Sequence, residues 1–135
     1  DYGKNLKHCY SKFKNIHLLD PIYEPIALNT LRSNCYLYVH GHSAGGTNPS
    51  IVEAMNLSLP IVAFDVGYNR ESTEDYALYF KSAHRLKDII NRFDDTQREK
   101  VANKMKSVAR RRYTWKVISN KYLKMMKLIQ LQELI

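Results

Sequence analysis

Short apolar runs alternate with segments of helical period along most of the chain. Ile16 to Leu19 is a β-like run that stops at Asp20-Pro21. Glu24-Pro25 opens a helix reaching about Ser33, with Ile26, Leu28 and Leu31 as its apolar positions and proline in the first turn. Cys35 to Val39 is rich in β-formers and free of charge, the composition of a buried parallel strand. A polar, glycine-bearing loop, Gly41 to Asn48, leads into a helix from Pro49 to Leu57. Pro60 to Phe64 reads as a second buried strand, Ala77 to Phe80 as a short edge-type strand, and Ala83 to Phe93 as a helix. Strands alternating with helices imply a parallel sheet with helical crossovers, hence an α/β fold.

The last third is helical throughout. Asp94-Asp95-Thr96 offers N-caps for a helix to about Arg112, and Thr114 caps a second. In that second helix Trp115, Ile118, Tyr122, Met125 and Ile129 recur at spacings of three and four, forming one apolar stripe. Gly3 to Phe13 is helix-like, whereas a doubly wound domain ordinarily opens with a strand. The expectation is therefore a domain whose first strand precedes residue 1.

Composition narrows the class. The chain has 135 residues, 44% of them hydrophobic and 25% charged, sufficient for one domain with its own core. No apolar stretch approaches the roughly 20 residues of a membrane span, and the N-terminal ten residues have no signal-peptide character. Cys9 and Cys35 lack metal-type spacing, which points to a reducing, cytoplasmic setting. The net charge of +8 is concentrated: residues 98–127 hold eleven Lys and Arg against Glu99 alone, leaving the remainder at −2. Three readings of this basic helical region stand: a solvated face on a docking helix, peripheral contact with an anionic membrane at its inner face, or polyanion binding. No recognised nucleic-acid motif accompanies the charge.

Candidate chemistry concentrates in residues 40–55, which follow a strand and enter a helix. Asn48 suits the N-cap and Pro49 the first helical position. Gly45-Gly46 allows close backbone approach, and free N–H groups at the helix start would face an anion such as a diphosphate. The alternative is a plain strand-to-helix turn. Glu53, one turn into the helix, can accept two hydrogen bonds from a vicinal diol, or instead complete a capping box with Ser50. His40 and His42 would share one face at the strand end, as donor contacts or as loop histidines with structural bonds; a metal site would need a third ligand.

Asn-Pro-Ser-Ile-Val-Glu-Ala-Met (48–55), Leu-Pro-Ile-Val-Ala-Phe-Asp-Val (59–66) and Asn69-Arg70-Glu71 together resemble the donor-binding half of a family 4 glycosyltransferase. The resemblance runs from about Asn15 to Lys127 and includes Ala77-Leu78-Tyr79-Phe80 and the Tyr113-Thr114-Trp115 helix start. Its His-Ser-x-Gly-Gly-Thr-Asn-Pro-Ser form (42–50) is most similar to bacterial rhamnosyltransferases that build surface polysaccharide.

The resemblance implies a Rossmann-like three-layer sandwich over residues 1–112, the C-terminal half of a GT-B fold, followed by an amphipathic crossover helix over 113–135. The implied activity is transfer of a sugar, rhamnose by this likeness, from a nucleotide-diphosphate donor to a glycan or lipid-linked acceptor with retention. It implies no cofactor beyond that donor, no metal, and no catalytic residue within this chain. Acceptor site and any general base would lie mainly on a preceding N-terminal domain of the same enzyme, across which the final helix would pack, and the diphosphate-gripping cations would come from the region before residue 1. By position, Glu53 corresponds to the ribose-holding glutamate, and Gly45, Gly46, Thr47 and Asn48 to the loop meeting diphosphate and sugar. Asp20 to Tyr23 falls at the base-contacting loop, and Asn69, Arg70 and Glu71 at a cleft-side loop, with Tyr68 beside them. One departure stands out: the family's other glutamate, seven residues intervening before Glu53, is here Gly45. Loop amides would replace its contact with the sugar. A non-catalytic nucleotide-binding domain of the same fold is the alternative.

Overall fold

In the computed structural model, residues 2–132 are described, and side chains to residue 130. The chain divides into two compact units, Asp1–Leu31 and Arg32–Ile135. The first contains α1 (Tyr2–Tyr10) and most of α2 (Pro25–Ser33). Between them Ile16–Leu19 forms no strand; Leu18 and Leu19 are exposed, and no neighbouring strand pairs with them among the described residues. An apolar run becomes a strand only when a partner takes up its N–H and C=O groups. Glu24 opens α2 by accepting the Ile26 and Ala27 N–H groups through its carboxylate, at 3.0 and 2.6 Å.

The second unit is built on a three-stranded parallel sheet in the order β1 (Tyr38–His40), β2 (Ile61–Phe64), β3 (Leu78–Phe80). Tyr38 pairs with Ile61, and Val62 with Leu78, so side chains alternate in step across all three strands. Ile61, Ala63, Tyr38 and Tyr79 face a core made with α3 (Pro49–Asn56) and α6 (Asp95–Arg112), where Ile51, Met55, Met105 and Val108 are fully buried. Val62, Phe64 and Phe80 face the other way, against Leu86 and Ile89 of α5 (Ala83–Arg92). Helices thus cover both faces of a parallel sheet, an α/β arrangement.

β1 departs from the buried strand expected of residues 35–39. It lies at an edge of the described sheet, α5 covers only its neighbours, and Tyr36 and Val39 are 52% and 42% exposed. A second departure is α4 (Gly67–Thr73), where a loop was expected around 69–71. Its N-cap, Val66, supplies no side-chain bond, and its sequence is poor in strong helix formers. Tertiary bonds hold it instead. The Thr73 hydroxyl lies 2.7 Å from the Asn69 carbonyl and 2.5 Å from the Tyr79 hydroxyl, and the Tyr113 hydroxyl donates to the Ser72 carbonyl at 3.1 Å. The last helix, α7 (Trp115–Gln132), follows α6 after Thr114, whose Oγ accepts the Val117 N–H as its cap. No described helix is long and apolar enough to cross a membrane.

Candidate functional site

The carboxyl ends of β1 and β2 carry the residues of interest. From His40 the chain runs through the exposed loop 41–47 into α3. None of the loop's seven backbone N–H groups donates to an acceptor among the described residues. Gly45 has φ +118°, a backbone region that side chains rarely adopt, and a Cβ on Gly41, Gly45 or Gly46 would meet open space. The loop therefore presents bare amides to solvent.

The start of α3 corrects the expectation of free helix N–H groups. Asn48 Oδ1 accepts the Ser50 N–H at 3.0 Å and the Ser50 hydroxyl at 2.7 Å, while the Ile51 N–H is 3.2 Å from the Asn48 carbonyl. Pro49 has no N–H to give. Asn48 is thus a capping residue that consumes the first donors. What remains for an anion is the loop amides together with the positive end of the helix dipole.

Glu53 does not form the capping box with Ser50. Its carboxylate is ion-paired with Arg32, and its side chain is half-exposed. Arg32 carried no sequence signal as a partner, being 21 residues away on another helix. Asn69 is buried and donates through Nδ2 to two carbonyls, His42 at 3.1 Å and Phe64 at 2.9 Å. One amide group therefore ties the loop after β1 to the end of β2. Beside it, the Ser72 hydroxyl lies 3.1 Å from Thr47 Oγ1 and donates to the Tyr68 carbonyl at 2.7 Å.

Arg70 and Glu71 turn away from this loop. The Arg70 guanidinium donates to Asp65 at 2.5 Å and Asp75 at 2.7 Å, and lies 4.1 Å from the centroid of the Tyr79 ring. Those bonds hold the Asp65 carboxyl below its ordinary range and raise Arg70 above its own. Glu71 accepts from Arg112 at 3.2 Å, and its backbone carbonyl does so at 2.7 Å. Glu74 is paired with Arg111, which pulls its carboxyl down. Two of the arginines that the sequence left unopposed are therefore answered from α4 and its C-cap Glu74. Asp20 and Tyr23 belong to the first unit, where Asp20 is paired with Lys7 and Tyr23 is 89% exposed.

The two histidines do share a face. Their rings stack with centroids 4.6 Å apart, His40 buried and His42 exposed. Burial, with the neighbouring His42 second, lowers the His40 pKa from 6.5 to about 4, so it is neutral at pH 7. Its Nε2 and the Tyr68 hydroxyl are both enclosed without a hydrogen-bond partner among the described residues, while Nδ1 is 3.5 Å from the Tyr38 hydroxyl. No three His, Cys, Asp or Glu among the described residues are grouped to hold a metal ion.

Sequence reasoning found the loop and its cap but missed Asn69 as the residue that fixes the loop. An asparagine in a segment without a capping signal gives no hint that a carbonyl 27 residues away awaits it. Comparison with protein-family models, with curated proteins and with solved structures found no match.

Proposed function

We propose that residues 32–135 bind a nucleoside-diphosphate sugar, as the Rossmann-like donor domain of a retaining GT-B glycosyltransferase of family 4. The observation that carries this reading is the loop 41–47. Its amides have no partner among the described residues, its glycines are unobstructed, and it sits at the carboxyl end of a parallel strand before a helix N-terminus. Open α/β sheets bind nucleotides at that place. The free edge and uncovered face of β1 are compatible with a further strand and helix from a preceding part of the enzyme.

In this reading the loop amides and the α3 dipole stabilise negative charge that builds on the leaving diphosphate as the glycosidic bond to it breaks. Glu53 accepts hydrogen bonds from the ribose hydroxyls, keeping or exchanging its partner Arg32. Asn69 acts by position, holding the His42 carbonyl and so the shape of the loop. The acceptor, a glycan or lipid-linked glycan of a bacterial surface polysaccharide, approaches from a preceding domain with the general base. Rhamnose is the sugar favoured by the likeness of residues 42–50, a deoxy sugar suiting the absence of a carboxylate at Gly45.

Amide NMR titration of the chain with dTDP, UDP and GDP at two salt concentrations tests this. Shifts centred on Gly45 to Glu53 that persist in salt, and that Glu53→Ala abolishes, are expected. Shifts confined to Arg98–Lys127 and lost in salt would replace the donor reading with polyanion binding. Sugar transfer by the full enzyme then separates a transferase from a nucleotide-binding module.

A further inference from the structure

A cavity opens at the end of the sheet opposite loop 41–47. Asp75 and Tyr76 lie just before β3, whose first residue is Leu78, and Arg92 lies in the last turn of α5. With the first half of α6 they enclose about 580 Å³, a volume suited to a small molecule. Half-buried Leu78, buried Val101 and the Tyr76 ring give the cavity an apolar wall. The Lys104 ammonium lies 4.8 Å from the centroid of that ring. Charges around the cavity do not cancel. Three cations, Arg92, Lys100 and Lys104, face two carboxylates that are both engaged. Asp75 accepts from Arg70 at 2.7 Å, and Asp94 Oδ1 accepts the Gln97 N–H at 2.7 Å. None of the three cations forms an ion pair among the described residues. Lys100 and Lys104, one turn apart on α6, share a face and repel each other.

We infer that this cavity is a second ligand site, for the phosphomonoester of a small ring compound. The Arg92 fork offers paired donors to phosphate oxygens, and the two ammonium groups add charge on the facing helix. A phosphomonoester brings about two negative charges at neutral pH, where a carboxylate brings only one. Its ring covers Tyr76, Leu78 and Val101, an apolar wall that a bare phosphate would leave wet. The site stands apart from the proposed donor loop. A domain that brings an acceptor to loop 41–47 must face the carboxyl ends of the strands, which leaves the amino end clear. A strand added beside β1 would lie at the edge far from β3. The inference therefore does not rest on nucleotide binding and survives if that fails.

Amide NMR of the whole chain titrated with phenyl phosphate tests this, with inorganic phosphate and benzyl alcohol as the two halves of the probe. Saturable shifts are expected at Tyr76, Leu78, Arg92 and Gln97 to Lys104. Phenyl phosphate should bind about tenfold tighter than either half. Arg92→Gln, and Lys100→Gln with Lys104→Gln, should each weaken it about tenfold, with circular dichroism unchanged. Tyr76→Ala should weaken phenyl phosphate and leave inorganic phosphate as it was, a split that general loss of structure would not produce. Glu53→Ala, at the other end of the sheet, should alter none of these affinities. The inference is overturned if the cavity residues show no saturable shift, or if the shifts centre on Gly45 to Glu53. Shifts spread along residues 98–127 that inorganic phosphate reproduces in full would overturn it as well, leaving a general basic surface.

Discussion

His40 shows how one buried side chain makes stability depend on pH. In the unfolded chain its imidazole takes a proton near its ordinary 6.5, whereas in the folded chain it does so only near 4. Between those values unfolding takes up a proton, so stability is full above about 6.5 and falls as the pH drops towards 4, by up to about 3 kcal/mol. The carboxyls of Asp65 and Glu74 are lowered by Arg70 and Arg111, so their contributions are lost only at more acid pH. Urea midpoints at pH 7 and pH 5 should therefore differ, and His40→Leu should flatten that difference. The glycines of the loop give a second contrast at this scale. Gly45→Ala forces a side chain into φ +118° and should cost about 1–2 kcal/mol, although the new methyl meets no atom. Gly46→Ala, without that strain, should stay within about 0.5 kcal/mol in the same denaturation assay.

At the scale of elements, α3 is the best-specified helix of the chain. Asn48 caps it, Pro49 opens it, and at its end the Leu59 N–H bonds to the Ala54 carbonyl and the Ser58 N–H to that of Met55, both at 3.0 Å. Ser58 sits in the left-handed region with φ 59°, the position where such a helix end favours glycine. Ser58→Gly is expected to raise stability by about 0.5–1 kcal/mol, and Asn48→Ala to lower it by about 1 kcal/mol, both measurable by thermal melts. Helix α4 stands at the other extreme, with no side-chain cap and no strong propensity. Its existence rests on Thr73, Tyr79 and Tyr113. For that reason Asn69, Arg70 and Glu71 look like loop residues in the sequence.

Over the whole molecule, stability resides in the layer between the sheet and α3 with α6. Met105→Ala, which empties a fully buried site there, should cost about 2–5 kcal/mol in chemical denaturation. Met125→Ala on exposed α7 should stay within about 0.5 kcal/mol, since that helix adds little to the core. Function divides in the same way. With the acceptor side proposed to lie on another domain, the isolated chain is expected to give no sugar transfer with any nucleotide sugar. Turnover by these 135 residues in a radiolabel assay would contradict that division of labour.

The sequence by itself determined the strand–helix alternation from residue 35 to 93, the cap at Asn48, the glycine turn, and the separation of the basic helices from a near-neutral remainder. Each is a local property, carried by period, propensity or cap chemistry within a few residues. Only the tertiary structure decided that Ile16–Leu19 pairs with no strand among the described residues, that β1 lies at an edge of the described sheet, that α4 is helical, and that Asn69 joins the loop after β1 to the end of β2. It also decided that Glu53 meets Arg32 and that Arg111 and Arg112 meet Glu74 and Glu71. Hydrogen bonds and ion pairs between residues 21 to 41 positions apart leave no periodic trace along a chain. They exist only once burial of the shared core has brought their elements together.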